Sequence, residues 1–390
     1  MNDVLNIAIA INLEIEFIPC GAKEISKKHE KYHITGCQNE IRFANQILLS
    51  TGNLPSNNYF HLISNKGYYH TPYPIKTIIN EISDNLSIGI IGSRLSAIDT
   101  VLSLKKSNHK GSITLLSRKG YLPTIQSKQE KTSLMYCTED RIKNLQTTSD
   151  GYISYRTVLR LILKELSYGN EEIFNSNYYK PKEGNSVEIF DRDLNSIKNG
   201  NRWQSSFVAL NSVIGDLWKL MKEEDKVKFM HNDFSRFMAL RVPIPLESAF
   251  IINNMFKKGE LNLLSGLECI NYSNNTFIAE FKKAKSLNFD IIINCTGTDN
   301  DIQKTTDPLY LSLINNRLII PHPLGGIHVD FYNNEAISIN KASKTGIYAV
   351  GNMTTGVHLF CSVLENNVRH CENVVQAILN EYHSTYKLLA

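Results

Sequence analysis

The clearest pattern in the sequence is a strand, a glycine-containing turn, a helix and a second strand within about thirty residues. Residues 86–91 form a continuous apolar run, as expected for a buried strand, and a tight turn is predicted at 92–96. An amphipathic helix is predicted over 97–106, and Gly111 precedes a second apolar run at 113–116. This order and spacing indicate a βαβ dinucleotide-binding unit.

Other segments give weaker patterns. Apolar runs at 46–50 and 290–294 predict short buried strands, and residues 14–19 alternate like a strand with one exposed face. The stretch between 124 and 285 is mostly helical in pattern, and a long helix is predicted over 364–382. The chain therefore combines strands at both ends with a helical middle, which indicates an α/β fold.

Length and composition limit the classes of protein that fit. A chain of 390 residues exceeds what one hydrophobic core usually supports, so two domains are expected. Apolar residues make up 42% and charged residues 21%, which excludes collagen-like, disordered and disulfide-scaffold proteins. The composition is that of a globular, enzyme-like protein.

Charge and hydropathy argue against nucleic-acid and membrane partners. Lys and Arg total 42 against 38 Asp and Glu, a net charge of +4 that is spread along the chain. No apolar run reaches the roughly 18–20 residues that a membrane span needs. The first residues, Met1, Asn2 and Asp3, lack the basic start of a signal peptide, so we expect a cytoplasmic protein.

The seven cysteines are widely scattered, and their number is odd. There is no CxxC motif and no Cys/His cluster with zinc-ligand spacing, so we expect no metal site. Free thiols are expected for all seven.

The turn at the start of the predicted helix carries a G-x-G-x-x-G/A pattern with one departure. Gly92 suits the tight turn, and the helix N-terminus presents free N–H groups to a pyrophosphate. The middle glycine is replaced by Arg94, which either contacts phosphate or marks a nucleotide site that has lost its fit. The candidate phosphate-binding residues are Gly92, Ser93, Arg94, Leu95 and Ser96.

The residues after the second strand distinguish NAD from NADP. A carboxylate there would bind the ribose 2′-hydroxyl, whereas an arginine accommodates a 2′-phosphate. This chain has Ser117, Arg118 and Lys119 at that point and no carboxylate. The pattern favours NADPH, and the alternative is a solvated basic turn.

Two buried strands end in Thr-Gly, at Thr51–Gly52 and at Thr296–Gly297. Glycine lets the backbone pass close to a cofactor because it has no Cβ. Either exit alone could be an ordinary turn. Two of them flanking a βαβ unit resemble the segments of two-dinucleotide flavoproteins in which the chain passes between the flavin and pyridine-nucleotide domains.

Taken together, these segments resemble the FAD/NAD(P)-binding oxidoreductase family, in particular a subgroup related to flavin-containing N-hydroxylating monooxygenases. The similar segments are ILLSTGNLP, IGIIGSRLSAIDTVLSL, SITLLSRKGYLP, WQSSFVALNSVIGDLW, DFSRFMALRVPIP, IIINCTGTDND and GIYAVGNMTTG. They extend from about residue 46 to 380, and their order is more specific than any single one.

The resemblance implies an α/β fold with two Rossmann-like dinucleotide-binding domains, the first of them truncated, and a largely helical insertion. The implied boundaries are 1–75 with 300–390 for a partial FAD domain, 76–125 with 286–299 for the NAD(P) domain, and 126–285 for the insertion and substrate region. Flavin contacts are implied at Thr51, Gly52, Thr296, Gly297, Gly351 and Asn352.

The family pattern begins with a strand and a GxGxxG turn that hold the FAD pyrophosphate, and no such turn precedes Gly92. We therefore expect this chain to bind FAD only with help. A second polypeptide could supply the missing βαβ unit, or the product could be a shortened, repurposed relative. An unpaired strand edge invites association, so a partner chain or a homo-oligomer is expected.

Three residues are candidates for substrate binding. Arg236 and Arg241 could hold an anion through bidentate hydrogen bonds, and His358 follows the GIYAVGNM segment. The alternatives are surface or capping arginines and a packed histidine.

The resemblance implies an NADPH-dependent flavoprotein oxidoreductase, perhaps a monooxygenase, acting on a small molecule. The alternatives are a non-catalytic subunit or nucleotide-binding module, and a flavin-free NADPH-dependent reductase. No catalytic side chain is identified, because the cofactors carry out the redox step.

Overall fold

The structure is a computed structural model of the chain. It describes residues 6–8, 10–148, 151–168, 186–197, 202–339, 344–361 and 363–387. Within these residues no helix is both long and apolar enough to cross a membrane.

The described segments form thirteen strands and thirteen α-helices. The strands are β1 Ala22–Lys28, β2 Lys31–Gly36, β3 Ile41–Ala44, β4 Ile47–Leu49, β5 Tyr68–Tyr69, β6 Ile88–Ile91, β7 Ile113–Ser117, β8 Leu261–Ser265, β9 Leu267–Ser273, β10 Thr276–Phe281, β11 Leu287–Phe289, β12 Ile291–Asn294 and β13 Ile347–Ala349. The helices are α1 Ile75–Glu81, α2 Leu95–Lys106, α3 Glu139–Thr148, α4 Tyr155–Ser167, α5 Ser186–Ser196, α6 Arg202–Ala209, α7 Ile214–Lys219, α8 Glu223–Asn232, α9 Phe234–Arg241, α10 Leu246–Lys257, α11 Pro308–Asn315, α12 Thr355–His358 and α13 Leu364–Lys387.

The chain divides into two compact units. Unit 1 comprises residues 1–52, 300–357 and 361–390, and unit 2 comprises 53–299 and 358–360. Residues 53–75, which the sequence analysis assigned to the first domain, belong to unit 2. Strand β5 explains this difference, because Tyr68 and Tyr69 pair with β12 in the sheet of that unit.

Unit 2 is built on a parallel sheet of five strands in the order β5-β12-β6-β7-β8. All four residues of β6 and all four of β12 are buried, as expected for strands covered on both faces. The core around them includes Ile90, Ile293, Val101 of α2 and Ile252 of α10, all at most 1% exposed. The predicted strand–turn–helix–strand unit is confirmed, and so is the α/β class.

The stretch expected to be mainly helical also contains three strands that the sequence analysis missed. Strand β8 forms one edge of the parallel sheet, and β9 and β10 join β11 in an antiparallel sheet of three strands. Phe277 is fully buried beneath that sheet. Short strands with mixed burial give a weaker pattern than the long helices before them, which explains the omission.

Unit 1 contains an antiparallel sheet in the order β1-β2-β3 and a parallel pair, β4 and β13. The strand predicted at 14–19 is wrong, because that segment has no regular structure and no strand pairing. Phe17 is 64% exposed, and Glu16 forms an ion pair with Arg42 of β3. Alternating residues form a strand only where a neighbouring strand pairs with the backbone.

The expectation of seven free thiols is corrected by a disulfide between Cys20 and Cys37. The two cysteines are 17 residues apart in sequence, but the antiparallel register of β1 and β2 sets Ala22 opposite Gly36. Residues just outside that pair are therefore neighbours in space. The other five cysteines are free.

Candidate functional site

The candidate site of unit 2 lies at the carboxyl ends of β6 and β12. Strand β6 has β7 on one side and β12 on the other, and α2 begins four residues after β6. The chain order therefore reverses at β6. In open parallel sheets, ligands bind in the crevice outside the strand ends at such a switch point.

Gly92 determines how tightly the strand ends can approach one another. Its φ is +115°, and a Cβ placed there would lie 2.8 Å from the backbone oxygen of Cys295. The Gly92 N–H donates to the Leu116 carbonyl at 2.8 Å, and the Cys295 N–H donates to the Ile91 carbonyl at 2.9 Å. Only glycine satisfies both the backbone angle and the space at this turn.

The turn is also fastened to the loop after β7. Ser93 is buried, and its hydroxyl donates to the Tyr121 carbonyl at 2.6 Å. Ala97 is fully buried where α2 packs on the sheet. Ser93 therefore positions the loop, and its hydroxyl is used inside the protein.

Arg94 stands at the N-cap of α2 with an extended backbone and no capping hydrogen bond from its side chain. Burial lowers the pKa of its guanidinium, and the nearby positive charge of Arg118 lowers it further. Within the described ranges, neither arginine side chain forms a hydrogen bond or an ion pair with the protein. Two cations thus meet beside the positive end of a helix.

A cleft of about 170 Å³ opens at this point. It is lined by Arg94, Leu95, Ser96, Pro123, Met238, Ala239, Val242, Cys295, Thr296 and Gly297. Among these described lining residues there is no carboxylate and no histidine. Burial raises the pKa of the Cys295 thiol to about 12, so it is a protonated, weakly reactive group.

The loop after β7 carries the other basic residues. Arg118 and Lys119 are exposed, and the Ser117 hydroxyl accepts from the Gly120 N–H at 3.0 Å. The Arg118 carbonyl accepts from the Gly266 N–H at 3.2 Å, which ties this turn to the end of β8. The backbone is therefore anchored, while the Arg118 side chain faces solvent.

Three strands end in glycines with the same geometry. Gly52 after β4, Gly297 after β12 and Gly351 after β13 have φ values of +75°, +86° and +74°. A Cβ placed on any of them meets no other described atom within 4 Å. Each exit is therefore a left-handed turn with open space in front of it.

The residues beside these glycines are held by short polar networks. In unit 1, the Thr51 and Tyr310 hydroxyls are hydrogen-bonded to each other, and Thr354 donates to the Gly351 carbonyl at 2.9 Å. In unit 2, the Thr296 hydroxyl donates to Asn294 Oδ1 at 2.8 Å. Asn352 is half-buried next to Gly351.

The structure keeps the three substrate candidates out of the cleft lining. Arg236 is buried, lines a separate cavity of about 50 Å³, and lies 5.7 Å from the Tyr121 ring centre. Arg241 donates to the Phe207 carbonyl and to Asn211 Oδ1, and burial lowers its pKa to about 10. His358 is buried.

Sequence reasoning missed the contribution of α9. Its residues Met238 and Ala239, with Val242 just after it, line the cleft together with the residues at the strand ends. They lie in the segment DFSRFMALRVPIP, but the sequence analysis singled out only its arginines, and the tertiary structure shows that these apolar residues line the cleft.

No family model and no curated protein matches the chain. Among solved structures it is similar to an ornithine N-hydroxylase from Kutzneria sp. 744 with reduced FAD, NADP⁺ and L-ornithine, at 13% identity and a TM-score of 0.49, covering 97% of this chain and 76% of that one. It is also similar to the bacillithiol disulfide reductase Bdr from Bacillus cereus, at 12% identity and a TM-score of 0.47, with coverage of 97% and 76%.

A third similar structure is L-lysine 6-monooxygenase from Pseudomonas syringae, at 11% identity and a TM-score of 0.49, covering 93% of this chain and 71% of that one. These figures describe a distant similarity of the backbone, and they assign no activity to this chain.

Proposed function

We propose that the chain binds NADPH at the β6–α2 turn and acts as a flavoprotein oxidoreductase on a small molecule. The observation that carries the proposal is the pair of cations, Arg94 and Arg118, beside the N-terminus of a 12-residue helix at the switch point of a parallel sheet. A phosphate-bearing ligand would supply the negative charge that this arrangement lacks.

The site suits a dinucleotide phosphate in three respects. The turn at Gly92 leads directly into the first turn of α2, whose free N–H groups would bind phosphate. Arg94 replaces the glycine that usually lets backbone reach the pyrophosphate, and its side chain lines the cleft. Arg118 follows β7, where a 2′-phosphate is recognised in folds of this type.

The flavin part of the proposal is supported by the strand exits. In each unit, left-handed glycines with open space in front of them let a flat ring or a ribityl chain approach the backbone. The candidate contacts are Thr51, Gly52, Gly351 and Asn352 in unit 1 and, taken separately, Thr296 and Gly297 in unit 2. When bound, NADPH supplies a hydride and the flavin accepts it.

In such a reaction this chain's residues would bind and orient the cofactors and would exclude water from the site. Arg94 and Arg118 would hold the phosphates, while Leu95 and the α9 residues Met238 and Ala239 would cover an apolar ring. The described lining residues offer no general acid or base, which suits a reaction in which the cofactors transfer the electrons. The proposal also includes a monooxygenase reaction, a cytoplasmic location and a second chain that completes the flavin site.

Absorbance spectroscopy of the full chain tests it. The purified protein is supplemented with FAD, separated from free flavin, and treated anaerobically with NADPH. The chain alone is expected to lose FAD. When a second chain that completes the flavin site is present, the proposal expects retained flavin bands that bleach on addition of NADPH, faster than with NADH. NADPH binding without flavin retention even then would indicate a flavin-free reductase or a nucleotide-binding module. Failure to bind either cofactor would contradict the proposal.

A further inference from the structure

Unit 1 carries an open sheet edge. In the parallel pair β4–β13, the Ile47 N–H donates to Gly346 and the Leu49 carbonyl accepts from Val350, so alternate backbone groups face β13. The N–H and carbonyl of Leu48 therefore point to the other side. No strand of the described chain pairs there.

The opposite edge of the pair is covered. The Ala336 N–H donates to the Ile347 carbonyl at 2.7 Å, and the Ala349 N–H donates to the Asn334 carbonyl at 3.0 Å. The free edge of β4 is thus the side at which this sheet can be extended. Leu48 is 47% exposed, and its side chain shares a face with Tyr348, its register partner.

Helix α13 covers that same face. Val374 is buried against Tyr348 and Val350, and Glu381 accepts from the Gln46 side chain at 3.1 Å. Next to this buried face, the helix exposes a second row of mostly apolar residues, which we call the α13 stripe. The stripe consists of Leu364, Val368, Cys371, Val375, Leu379 and Tyr382.

We propose that the β4 edge and the α13 stripe form a homodimer interface around one two-fold axis. The stripe has nearly the same spacing in both directions, with steps of four, three, four, four and three residues. Two antiparallel copies therefore set Leu364 opposite Tyr382, Val368 opposite Leu379, and Cys371 opposite Val375. An isologous interface requires this kind of self-complementarity.

The free edge of β4 is compatible with the same two-fold axis. The centre of the stripe lies beside Val374, and Val374 packs on Tyr348, which is level with Leu48 in the sheet. A two-fold axis through this level pairs β4 with β4 of the second copy, antiparallel and centred on Leu48. The two parallel pairs then join into one four-stranded sheet with both α13 helices on one face.

The charged rim of the stripe is compatible with this packing. In the antiparallel arrangement, Glu365 lies opposite His383 of the second copy, and Glu372 lies opposite Gln376. No two carboxylates meet, and the side chain of Glu365 faces the imidazole of His383. A second copy therefore fits the stripe in spacing without bringing like charges together.

Engineered cross-linking tests the interface. With Val375→Cys, the new thiol and Cys371 of the second copy would be oxidised by oxidised glutathione. Each disulfide formed releases two electrons and two protons, which convert the reagent to two glutathione thiols. A covalent dimer is expected on a non-reducing gel. Asn380→Cys, an exposed position on another face of the helix, is the matched control and is expected to give only the monomer band on the same gel.

Sedimentation provides a second readout that does not depend on cross-linking. The full chain is expected to sediment as a dimer at micromolar concentration, and Leu379→Glu as a monomer. Because Leu379 is already exposed, the variant is expected to keep the circular dichroism spectrum of the wild-type chain. Asn380→Glu, on another face of the helix, remains dimeric. A monomeric wild-type chain, or equal cross-linking of V375C and N380C, would overturn the proposal. NADPH titration reports on unit 2 separately.

Discussion

Arg94 and Arg118 lie close enough that the charge of Arg118 adds to burial in lowering the pKa of Arg94. Neither side chain is paired within the described parts of the chain. Bringing like charges together without a counter-ion costs free energy, and a bound phosphate would offset that cost. Arg118 is exposed, so solvent screens much of this repulsion; the pair matters because of its place at the helix N-terminus, where the proposed phosphate site lies.

Replacing Arg118 by glutamine is expected to weaken NADPH binding about 10-fold or more and to leave NADH binding unchanged. A hydrogen bond to a charged group contributes about 1.5–3 kcal/mol, and only NADPH has the 2′-phosphate. Titration followed by nicotinamide fluorescence measures both affinities. Lys106→Gln, at the far end of α2, is the control. Equal losses for the two nucleotides would show that Arg118 does not read the 2′-phosphate.

Gly92→Ala is expected to destabilise unit 2 more than Gly259→Ala does. Both glycines have positive φ, +115° and +70°, so alanine is strained at each. At Gly259 a Cβ meets nothing within 4 Å, and the expected loss is about 1–2 kcal/mol. At Gly92 the Cβ also collides with the Cys295 carbonyl oxygen. Urea denaturation compares the two, and similar losses would mean that the strand ends separate easily.

Glu165 is a buried carboxylate that organises the loop before α3. Although only 1% exposed, it accepts hydrogen bonds from the backbone N–H groups of Met135, Tyr136 and Cys137. Glu165→Ala removes the acceptor of all three N–H groups. Only Cys137 is a buried residue, and leaving its N–H without an acceptor is expected to cost about 1–3 kcal/mol.

Chemical denaturation of the Glu165 variants measures this cost. Glu165→Gln keeps one carbonyl acceptor, so its loss should fall between those of wild type and Glu165→Ala. The exposed helical residue Glu224, replaced by alanine, provides the control and should change stability little. Equal stability of Glu165→Ala and Glu224→Ala would show that the loop finds other acceptors.

His370 on α13 should make stability depend on pH. Burial, reinforced by the charge of Arg369, lowers its pKa from 6.5 to about 4 in the folded chain. Between these values the unfolded chain binds a proton that the folded chain does not, so stability falls as pH falls from 6.5 toward 4. Above 6.5 this contribution is constant.

The His370→Gln variant isolates that effect, because glutamine does not titrate. Thermal unfolding of both proteins is followed from pH 8 down to about pH 4, the lower value being the folded pKa. The wild-type Tm is expected to fall more steeply than the variant Tm below pH 6.5. Parallel curves would show that His370 is as accessible to protons in the folded chain as in the unfolded one.

The strand–turn–helix–strand unit around Gly92 was predicted well because its signals are local. The apolar run before Gly92 and the periodic run after it each fit one element, and β6, α2 and β7 lie within a few residues of their predicted bounds. The cleft also contains the predicted Arg94 and Thr296.

Non-local features escaped prediction. The disulfide between Cys20 and Cys37 depends on the register of β1 and β2, which no residue pattern determines. Met238 lines the cleft because α9 packs beside it. The Arg241 guanidinium donates a hydrogen bond to Asn211 Oδ1 and is used inside the protein. Such contacts join segments far apart in sequence, so residue patterns could not show them.

The most direct test of the central claim is an equilibrium titration of the full wild-type chain with NADPH and with NADH, followed by nicotinamide fluorescence at low salt and again at high salt. The account predicts that NADPH binds at least about 10-fold more tightly at low salt and that this preference shrinks as salt screens the arginines. Equal affinities for the two nucleotides, or no binding of either, would contradict it.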